Sequence, residues 1–173
     1  SVTIEEGVLN VGSSAFLGCS GLAFVVIPSS VTNVDISAFW GCNGLKSVTM
    51  PSCIHKLSET FPDAYRSIEQ VVIPEGVTNI ADWAFYRCSW LTTVVIPSTI
   101  KSIGSDAFRE CYGLKSIVVP DGVEAIGDYA FYGCKSLRKV ELPEGLESIG
   151  INDEYEIVIL YEYEQNLRAV KHL

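Results

Sequence analysis

The sequence lacks the short motifs that mark common enzyme active sites. It contains no G-x-S-x-G nucleophile elbow, no G-x-x-x-x-G-K-[ST] phosphate loop, no H-E-x-x-H metal-binding helix and no G-x-G-x-x-G dinucleotide-binding turn. Histidine is scarce, with only His55 and the terminal His172. These absences leave catalysis without support, so the chain is predicted to be non-enzymatic and to need no cofactor.

Long hydrophobic runs are also missing, although 48% of the residues are apolar and the mean hydropathy is +0.28. A membrane-spanning helix needs about 18 or more consecutive apolar residues. The apolar residues come instead in short pieces between prolines and glycines, which indicates many buried strands. Membrane insertion is therefore not expected.

Positive charge is scarce, because 12 Lys and Arg stand against 21 Asp and Glu for a net charge of −9. Nucleic acid is therefore not an expected partner. No signal peptide, lipid-attachment motif or targeting tail is visible. Because Val2 and Ile4 align with Val25 and Ile27, the chain opens inside a repeat and is interpreted as a piece of a longer protein.

A fixed period of 23 residues runs through most of the chain. Residues 91–111 return as residues 114–134 with the same Leu, Pro, Ile-Gly, Ala-Phe and Cys positions. Prolines follow the same spacing at Pro28, Pro51, Pro74, Pro97, Pro120 and Pro143. Such a period is typical of a solenoid, in which one coil is too small to bury its own apolar face. About six repeats are predicted over residues 1–150, with the third degenerate.

Apolar residues before each proline follow strand spacing. Val25 and Ile27, like their equivalents in later repeats, are two residues apart and should share one face of a strand. Equivalent strands should stack as a parallel sheet with a spacing of about 4.8 Å, and the proline should end each strand. The segment with Ala107, Phe108 and Cys111, and its equivalents, is predicted to form a short helical or 3₁₀ turn.

Two segments depart from the repeat. Residues 52–70 carry Phe61-Pro62 where Ala-Phe is expected, but they keep the repeat length, so the stack should continue through them. Residues 151–173 break the period with alternating tyrosines, isoleucines and glutamates, followed by a short helical pattern. They are interpreted as a C-terminal cap or, alternatively, as the opening strand of another domain.

The pattern L-x-x-V-x-I-P-x-x-V-x-x-I-G-x-x-A-F-x-x-C, recurring across residues 2–150, resembles the BspA-like class of leucine-rich repeats. The resemblance implies an α/β solenoid: a right-handed superhelix with a parallel sheet on one face and short helical or 3₁₀ turns on the other. It also implies a surface-exposed or secreted protein of anaerobic bacteria or mucosal protist parasites that adheres to host proteins or to other cells. The class shares no ligand-binding motif, so no functional residue is transferred by position.

The expected function is that of a monomeric, non-enzymatic protein-interaction module at the cell surface or secreted, with a host extracellular-matrix or cell-surface protein as its partner. One alternative is an intracellular scaffold or effector, which unpaired thiols favour because reducing compartments keep cysteines free. Another is the recognition arm of a larger enzyme.

The outward positions of the predicted sheet supply the candidate binding site. Val and Thr suit exposed strand positions by propensity alone, whereas contiguous exposed apolar area usually marks a contact surface; both interpretations stay open. The candidate residues are Phe24, Val26, Thr49, Gln70, Val72, Thr93, Val95, Val118 and Lys139. A second candidate is a set of outer-turn aromatic residues, which would equally serve as lids over the coil ends: Trp40, Trp83, Tyr86, Trp90, Tyr129 and Tyr132.

Five of the six cysteines occupy one column of the repeat: Cys19, Cys42, Cys88, Cys111 and Cys134. They lack the close Cys pairing of a zinc site. Equivalent positions point their Cβ atoms in parallel, so buried free thiols are predicted rather than disulfides. Cys53 falls in a turn and is expected to be exposed. Nothing orients the nearby His55 as a base, so a catalytic pair is not expected.

Overall fold

The computed structural model describes residues 1–150 as about six turns of a parallel-strand solenoid. One repeat makes one coil. Coils 1 to 6 comprise residues 1–21, 22–44, 45–67, 68–90, 91–113 and 114–136, and residues 137–150 add the two strands of a further coil. The repetitive architecture predicted from the 23-residue period is confirmed.

Two series of short strands run through the stack. The first series consists of the strands that end before the repeat proline: β1 (Val2–Thr3), β3 (Phe24–Val26), β5 (Ser47–Thr49), β6 (Gln70–Val72), β8 (Thr93–Val95), β10 (Ser116–Val118) and β12 (Lys139–Glu141). The second series follows the turn in every coil except coil 3: β2 (Asn10–Val11), β4 (Asn33–Val34), β7 (Asn79–Ile80), β9 (Ser102–Ile103), β11 (Ala125–Ile126) and β13 (Ser148–Ile149).

Paired strands are parallel, and their register equals the repeat period. Val48 lies opposite Val71, and Val71 lies opposite Val94, each pair 23 positions apart. Because the register offset and the period coincide, every side chain stacks on its own equivalent in the next coil. This is why a residue type conserved through the repeats becomes a continuous column on the molecule.

Each series is interrupted once among residues 1–150. The first series forms a five-stranded sheet from β1 to β8 and a separate two-stranded sheet of β10 and β12. The second series divides at coil 3 into a pair, β2 and β4, and a four-stranded sheet from β7 to β13. The interruptions fall at different steps of the stack. Every pair of neighbouring coils therefore stays joined by at least one hydrogen-bonded ladder.

The core is a set of stacked apolar columns. Val25, Val71 and Ile117 are buried at the inward positions of the first series, as predicted. A phenylalanine column lies on the opposite side: the rings of Phe85 and Phe108 stack with centroids 4.8 Å apart and an interplanar angle of 13°. Such a ring pair adds about 0.5–1.5 kcal/mol beyond the burial of its area.

The turns that carry the Ala-Phe pair are consecutive turns rather than the predicted short helical turns. Trp83 and Arg87 have φ angles of 63° and 59°, a left-handed conformation that a right-handed helix excludes. Between them, the backbone N–H of Phe85 donates to the carbonyl of Ala107 in the next coil, at 2.7 Å. Alternate N–H groups thus bond between coils instead of along the chain, and helix content is minimal.

Coil 3 keeps its place in the stack despite its divergent sequence. The only helix among residues 1–150, α1 (Leu57–Thr60), replaces the second strand there. Leu57 is buried and donates its N–H to the carbonyl of Ala84 in coil 4, at 3.0 Å. The repeat pattern places a phenylalanine at position 62, where this coil has Pro62, and the side chain of Phe61 takes its place in the column. The ring centroid of Phe61 lies 5.0 Å from that of Phe39. The expected continuation of the stack is confirmed.

The predicted C-terminal cap, residues 151–173, lies outside the described residues. The division of the chain at residue 150 therefore stays a prediction.

Adjacent residues of β10 provide a test of which face is inward. Ile117 is 3% exposed and Val118 is 59% exposed. An unpaired carboxylate at Ile117 would be buried at a cost comparable with the whole stability of a domain, about 5–15 kcal/mol. We expect Ile117→Asp to abolish the cooperative thermal transition followed by circular dichroism. Val118→Asp should change stability by no more than about 0.5 kcal/mol; equal melting temperatures for the two variants would contradict the assignment.

Candidate functional site

The outward face of the first series carries a stripe of branched apolar side chains, which we call the valine ladder. Its members are Val26, Thr49, Val72, Val95 and Val118. Val26, Val95 and Val118 are 42%, 46% and 59% exposed, and Phe24 beside them is 52% exposed. Val72 is half-buried. The structure therefore brings the apolar members of the predicted site together on one face, where all except Val72 are exposed.

A second outward column, the polar ladder, lies beside the first. Its members are Ser47, Gln70, Thr93, Ser116 and Lys139. Hydroxyl and amide groups predominate in it, and these side chains can donate and accept hydrogen bonds. At the last strand, the Lys139 ammonium lies 2.6 Å from the Glu141 carboxylate. This ion pair ends the apolar stripe on the C-terminal side.

Thr49 differs from the other members of the valine ladder. Its hydroxyl accepts a hydrogen bond from the N–H of Ile27 at 2.5 Å and donates one to the carbonyl of Ile27 at 2.7 Å. The side chain thus completes the contact between β3 and β5, and it is only half exposed. Its hydroxyl serves the fold, and its methyl group is the part that continues the stripe.

Charged residues border this face in a way that the sequence reasoning missed. The basic margin is the position immediately before each first-series strand: Ala23, Lys46, Glu69, Thr92, Lys115 and Arg138. The acidic margin is the position after the proline that ends the strand, with its coil 1 equivalent: Glu6, Ser29, Ser52, Glu75, Ser98, Asp121 and Glu144. Both charged columns are visible in the sequence when equivalent positions of the repeats are compared by charge rather than by hydropathy.

The outer-turn aromatic residues are largely engaged with one another and with nearby charges. Trp83 and Tyr86 pack edge to face with centroids 5.1 Å apart. The Arg109 guanidinium lies 4.8 Å from the centre of the Tyr132 ring and bonds the Asp106 carboxylate at 2.9 Å. Aromatic and cation–π contacts of this kind stabilise neighbouring coils. These contacts favour a structural role for Trp83, Tyr86 and Tyr132, which belong to the set of outer-turn aromatic residues.

Glu110 links the same turns by polar contacts. Its carboxylate accepts hydrogen bonds from Tyr112 at 2.8 Å and from Arg87 at 3.1 Å. Burial raises the pKa of the Glu110 carboxyl, but the two hydrogen bonds and the positive charges of Arg87 and Arg109 together outweigh it and hold the pKa below its ordinary value. Trp40 and Trp90 stay exposed and are the members of the aromatic set most open to a partner.

The column cysteines are free thiols, as predicted. Cys42, Cys88, Cys111 and Cys134 are buried, and the Cys111 thiol donates to the carbonyl of Phe85 at 3.0 Å. Burial raises the pKa of Cys88 and of Cys134 to about 12. Thiolate is the reactive form of cysteine, so these side chains behave as small hydrophobic groups.

Two cysteines differ from the predicted pattern. Cys19 belongs to the same column but is exposed, because no coil among the described residues covers that side of coil 1. Cys53, which was expected to be exposed, is half-buried, since its turn packs against the core. Burial raises the pKa of the Cys53 thiol, which is the opposite of what activates a nucleophile.

Other kinds of site find little support in the described part of the chain. No group of three or more His, Cys, Asp or Glu side chains there has a metal-binding arrangement. No helix in residues 1–150 is long and apolar enough to cross a membrane. A cavity beneath Pro51 and His55 has a volume of about 20 Å³, which is room for a single water molecule. The surface of the sheet is the better candidate.

Comparison with known proteins agrees with this architecture. The family model of the BspA-type leucine-rich repeat region matches six copies, over residues 1–115 and 57–155. No match is found among curated proteins.

Two solved structures illustrate the similarity. A leucine-rich repeat protein from Bacteroides ovatus is 29% identical over 83% of this chain, with a TM-score of 0.57. A leucine-rich cell surface protein from Faecalibacterium prausnitzii is 32% identical over 77% of this chain, with a TM-score of 0.52. The matches cover 43% and 42% of those two proteins, so this chain spans less than half the length of either.

Alkylation tests the state of the thiols. At pH 8, iodoacetamide should modify Cys19 rapidly and Cys53 slowly, while the four buried cysteines should react only after guanidinium unfolds the chain. Intact mass against time gives the number of labels, and peptide mapping gives their positions. Rapid labelling of Cys88 or Cys111 in the folded protein would contradict the burial of the column.

The raised thiol pKa values also predict alkaline destabilisation. The ordinary thiol pKa is 9.0, whereas folded Cys88 and Cys134 have pKa values of about 12. Between these values the unfolded chain loses protons that the folded chain keeps. The unfolding free energy should therefore fall as pH rises from about 9 to 12, by up to about 1.4 kcal/mol per pH unit for each thiol.

Urea unfolding at several pH values from 8 to 11 measures this slope. The double variant Cys88→Ala/Cys134→Ala is the control and should show a shallower decline. An identical slope in the variant would mean that other groups cause the pH dependence.

Proposed function

Because the chain belongs to the BspA-type leucine-rich repeat family, we propose that it is a non-enzymatic binding module that holds a protein partner on the valine and polar ladders. The observation that carries this proposal is the apolar stripe in which Val26, Val95 and Val118 are exposed and Val72 is half-buried. Exposed apolar area of this kind usually marks a contact surface. The adjacent hydroxyl and amide groups supply the directional contacts that give specificity.

The architecture supports binding by an extended surface rather than a pocket. Coils 4, 5 and 6 each contribute one apolar and one polar side chain to the face, and the stacked backbone ladders fix the positions of the neighbouring strands. A rigid surface loses little conformational entropy when a partner binds, so modest individual contacts add up to useful affinity. The partner contact should therefore be distributed over several coils.

We place this module at the bacterial cell surface or in a secreted protein, with a host extracellular-matrix or cell-surface protein as the ligand and with a monomeric chain as the binding unit. Support comes from the family and from the Faecalibacterium prausnitzii structure, which is described as a cell surface protein. An intracellular scaffold is the second candidate. It is favoured by the four buried cysteines that remain free thiols, since free cysteines are typical of reducing compartments.

A capture experiment tests the proposed face. The immobilised protein is exposed to extracellular-matrix and cell-surface extracts beside the triple variant Val72→Ser/Val95→Ser/Val118→Ser. Loss of three apolar contacts should reduce capture at least about tenfold, which corresponds to about 1.4 kcal/mol. Since the three side chains point outward, the melting temperature should change little.

A matched control removes exposed apolar side chains away from the sheet face. Leu9, Leu17 and Ile36 are all exposed there. Their triple serine variant should capture the partner as well as the unmodified protein does. Equal capture by the Val72/Val95/Val118 variant and the unmodified protein would place the binding site elsewhere and overturn the proposal.

A further inference from the structure

The two margins of the sheet face have opposite charge. The basic margin carries Lys46, Lys115 and Arg138 with one acid, Glu69, which lies 3.0 Å from Lys46. The acidic margin carries four carboxylates and no cation: Glu6, Glu75, Asp121 and Glu144. All of these side chains are exposed. The face is therefore an apolar stripe with a positive border on one side and a negative border on the other.

The dimensions of the face limit what can occupy it. Lys115 and Asp121 are six positions apart, before and after β10, so the separation of the margins is at most about 20 Å at 3.3 Å per residue. This distance exceeds the Debye length of about 8 Å at physiological salt, so each margin acts on the nearest part of a partner. A helix is about 10–12 Å across with its side chains, and its flanking charged side chains can therefore reach both margins.

An extended strand suits this surface less well than a helix. The sheet face presents side chains, while the backbone groups of the strands bond to one another within the sheets. A strand lying on the valine ladder would bury its own N–H and C=O groups without partners. A helix satisfies these groups internally and presents only side chains.

The length of the stripe also fits a helix. From Val26 to Val118 there are four steps between coils, or about 19 Å at 4.8 Å per step. About 13 residues of helix cover that length at 1.5 Å per residue. One helical turn rises 5.4 Å, close to one coil step, so an apolar residue from each turn can contact the ladder.

We propose that the segment bound by this face is an amphipathic helix aligned with the long axis of the solenoid, with acidic side chains over the basic margin and basic side chains over the acidic margin. This inference rests on the proposed function and names the chemistry of its partner. It also fixes the direction of the helix. Turning the helix end for end exchanges its two flanks and places like charges together, which is unfavourable.

Three labelled peptides of about 18 residues test the inference by fluorescence anisotropy. They share one leucine ridge and equal helicity by circular dichroism, and they differ only in their flanks: one acidic and one basic, both acidic, or both basic. The peptide with one flank of each sign should bind at least about tenfold more tightly than either of the others, a difference of about 1.4 kcal/mol. Added salt should reduce this preference.

A variant with two acidic margins provides the matched reversal. In Lys115→Glu/Arg138→Glu, both substituted side chains are exposed, so the fold should be kept and the melting temperature serves as the check. The preferred ligand should change to the peptide with two basic flanks. An apolar surface that binds helices without regard to their charge would not show this change of preference.

The possible failures are distinguishable. Equal affinity of the three peptides would overturn the charge polarity and leave the sheet face as the binding site. Failure of every peptide to bind, while capture of a protein still depends on Val72, Val95 and Val118, would overturn the helical partner alone. Undiminished binding of the mixed-flank peptide to the Val72/Val95/Val118 serine variant would remove the valine ladder from the interaction and contradict the proposed function as well.

Discussion

The structure depends on hydrogen bonding between coils at a fixed offset of 23 residues. Both strand series obey this offset. The turns follow it closely, since Phe85 donates to the carbonyl of Ala107, one position short of its own equivalent, Phe108. The turns also contain many bonds within one coil, but the strands bond only to other coils. A coil without a neighbour therefore leaves many polar groups unpaired, and only the stack as a whole is stable.

The same constraint explains why the candidate site is a surface. In-register stacking converts each repeat position into a column, so the side chains of the face are arranged in stripes that are mainly apolar, mainly polar, or bordered by charge of one predominant sign. No coil has room to enclose a ligand, because its interior is filled by residues such as Val71, Phe85 and Leu91. Under the proposed function, recognition comes from the order of the stripes across the face, and selectivity comes from the charges at its borders.

Periodicity made much of this predictable from the sequence. The inward position of Val25 and Ile27, the outward position of Val95 and Val118, and the free state of the column cysteines all follow from spacing alone. The predicted binding role of the outward residues is a separate matter, because exposure does not reveal a partner.

The turn conformation was not predictable in the same way. An Ala-Phe pair with a cysteine three residues after the phenylalanine is compatible with a helical turn. The left-handed conformation of Trp83 is instead imposed by hydrogen bonding to the next coil. The burial of Cys53 and the exposure of Cys19 likewise depend on neighbouring coils rather than on local sequence. Periodic positions are thus predictable from spacing, whereas non-periodic details require the three-dimensional environment.

The interruption between β8 and β10 has a mechanical meaning. Between coils 5 and 6 the first-series strands form no ladder, and Val94 and Ile96 are only partly buried. In the second series, β9 and β11 remain paired. Coils 5 and 6 are thus joined through β9, β11 and the turns, where the Phe108 N–H donates to the carbonyl of Ala130, but not through the sheet face. Val95 and Val118 stand on either side of the open seam. If the face binds a ligand as proposed, contact with both side chains links the two sheets, and binding then also stiffens the stack.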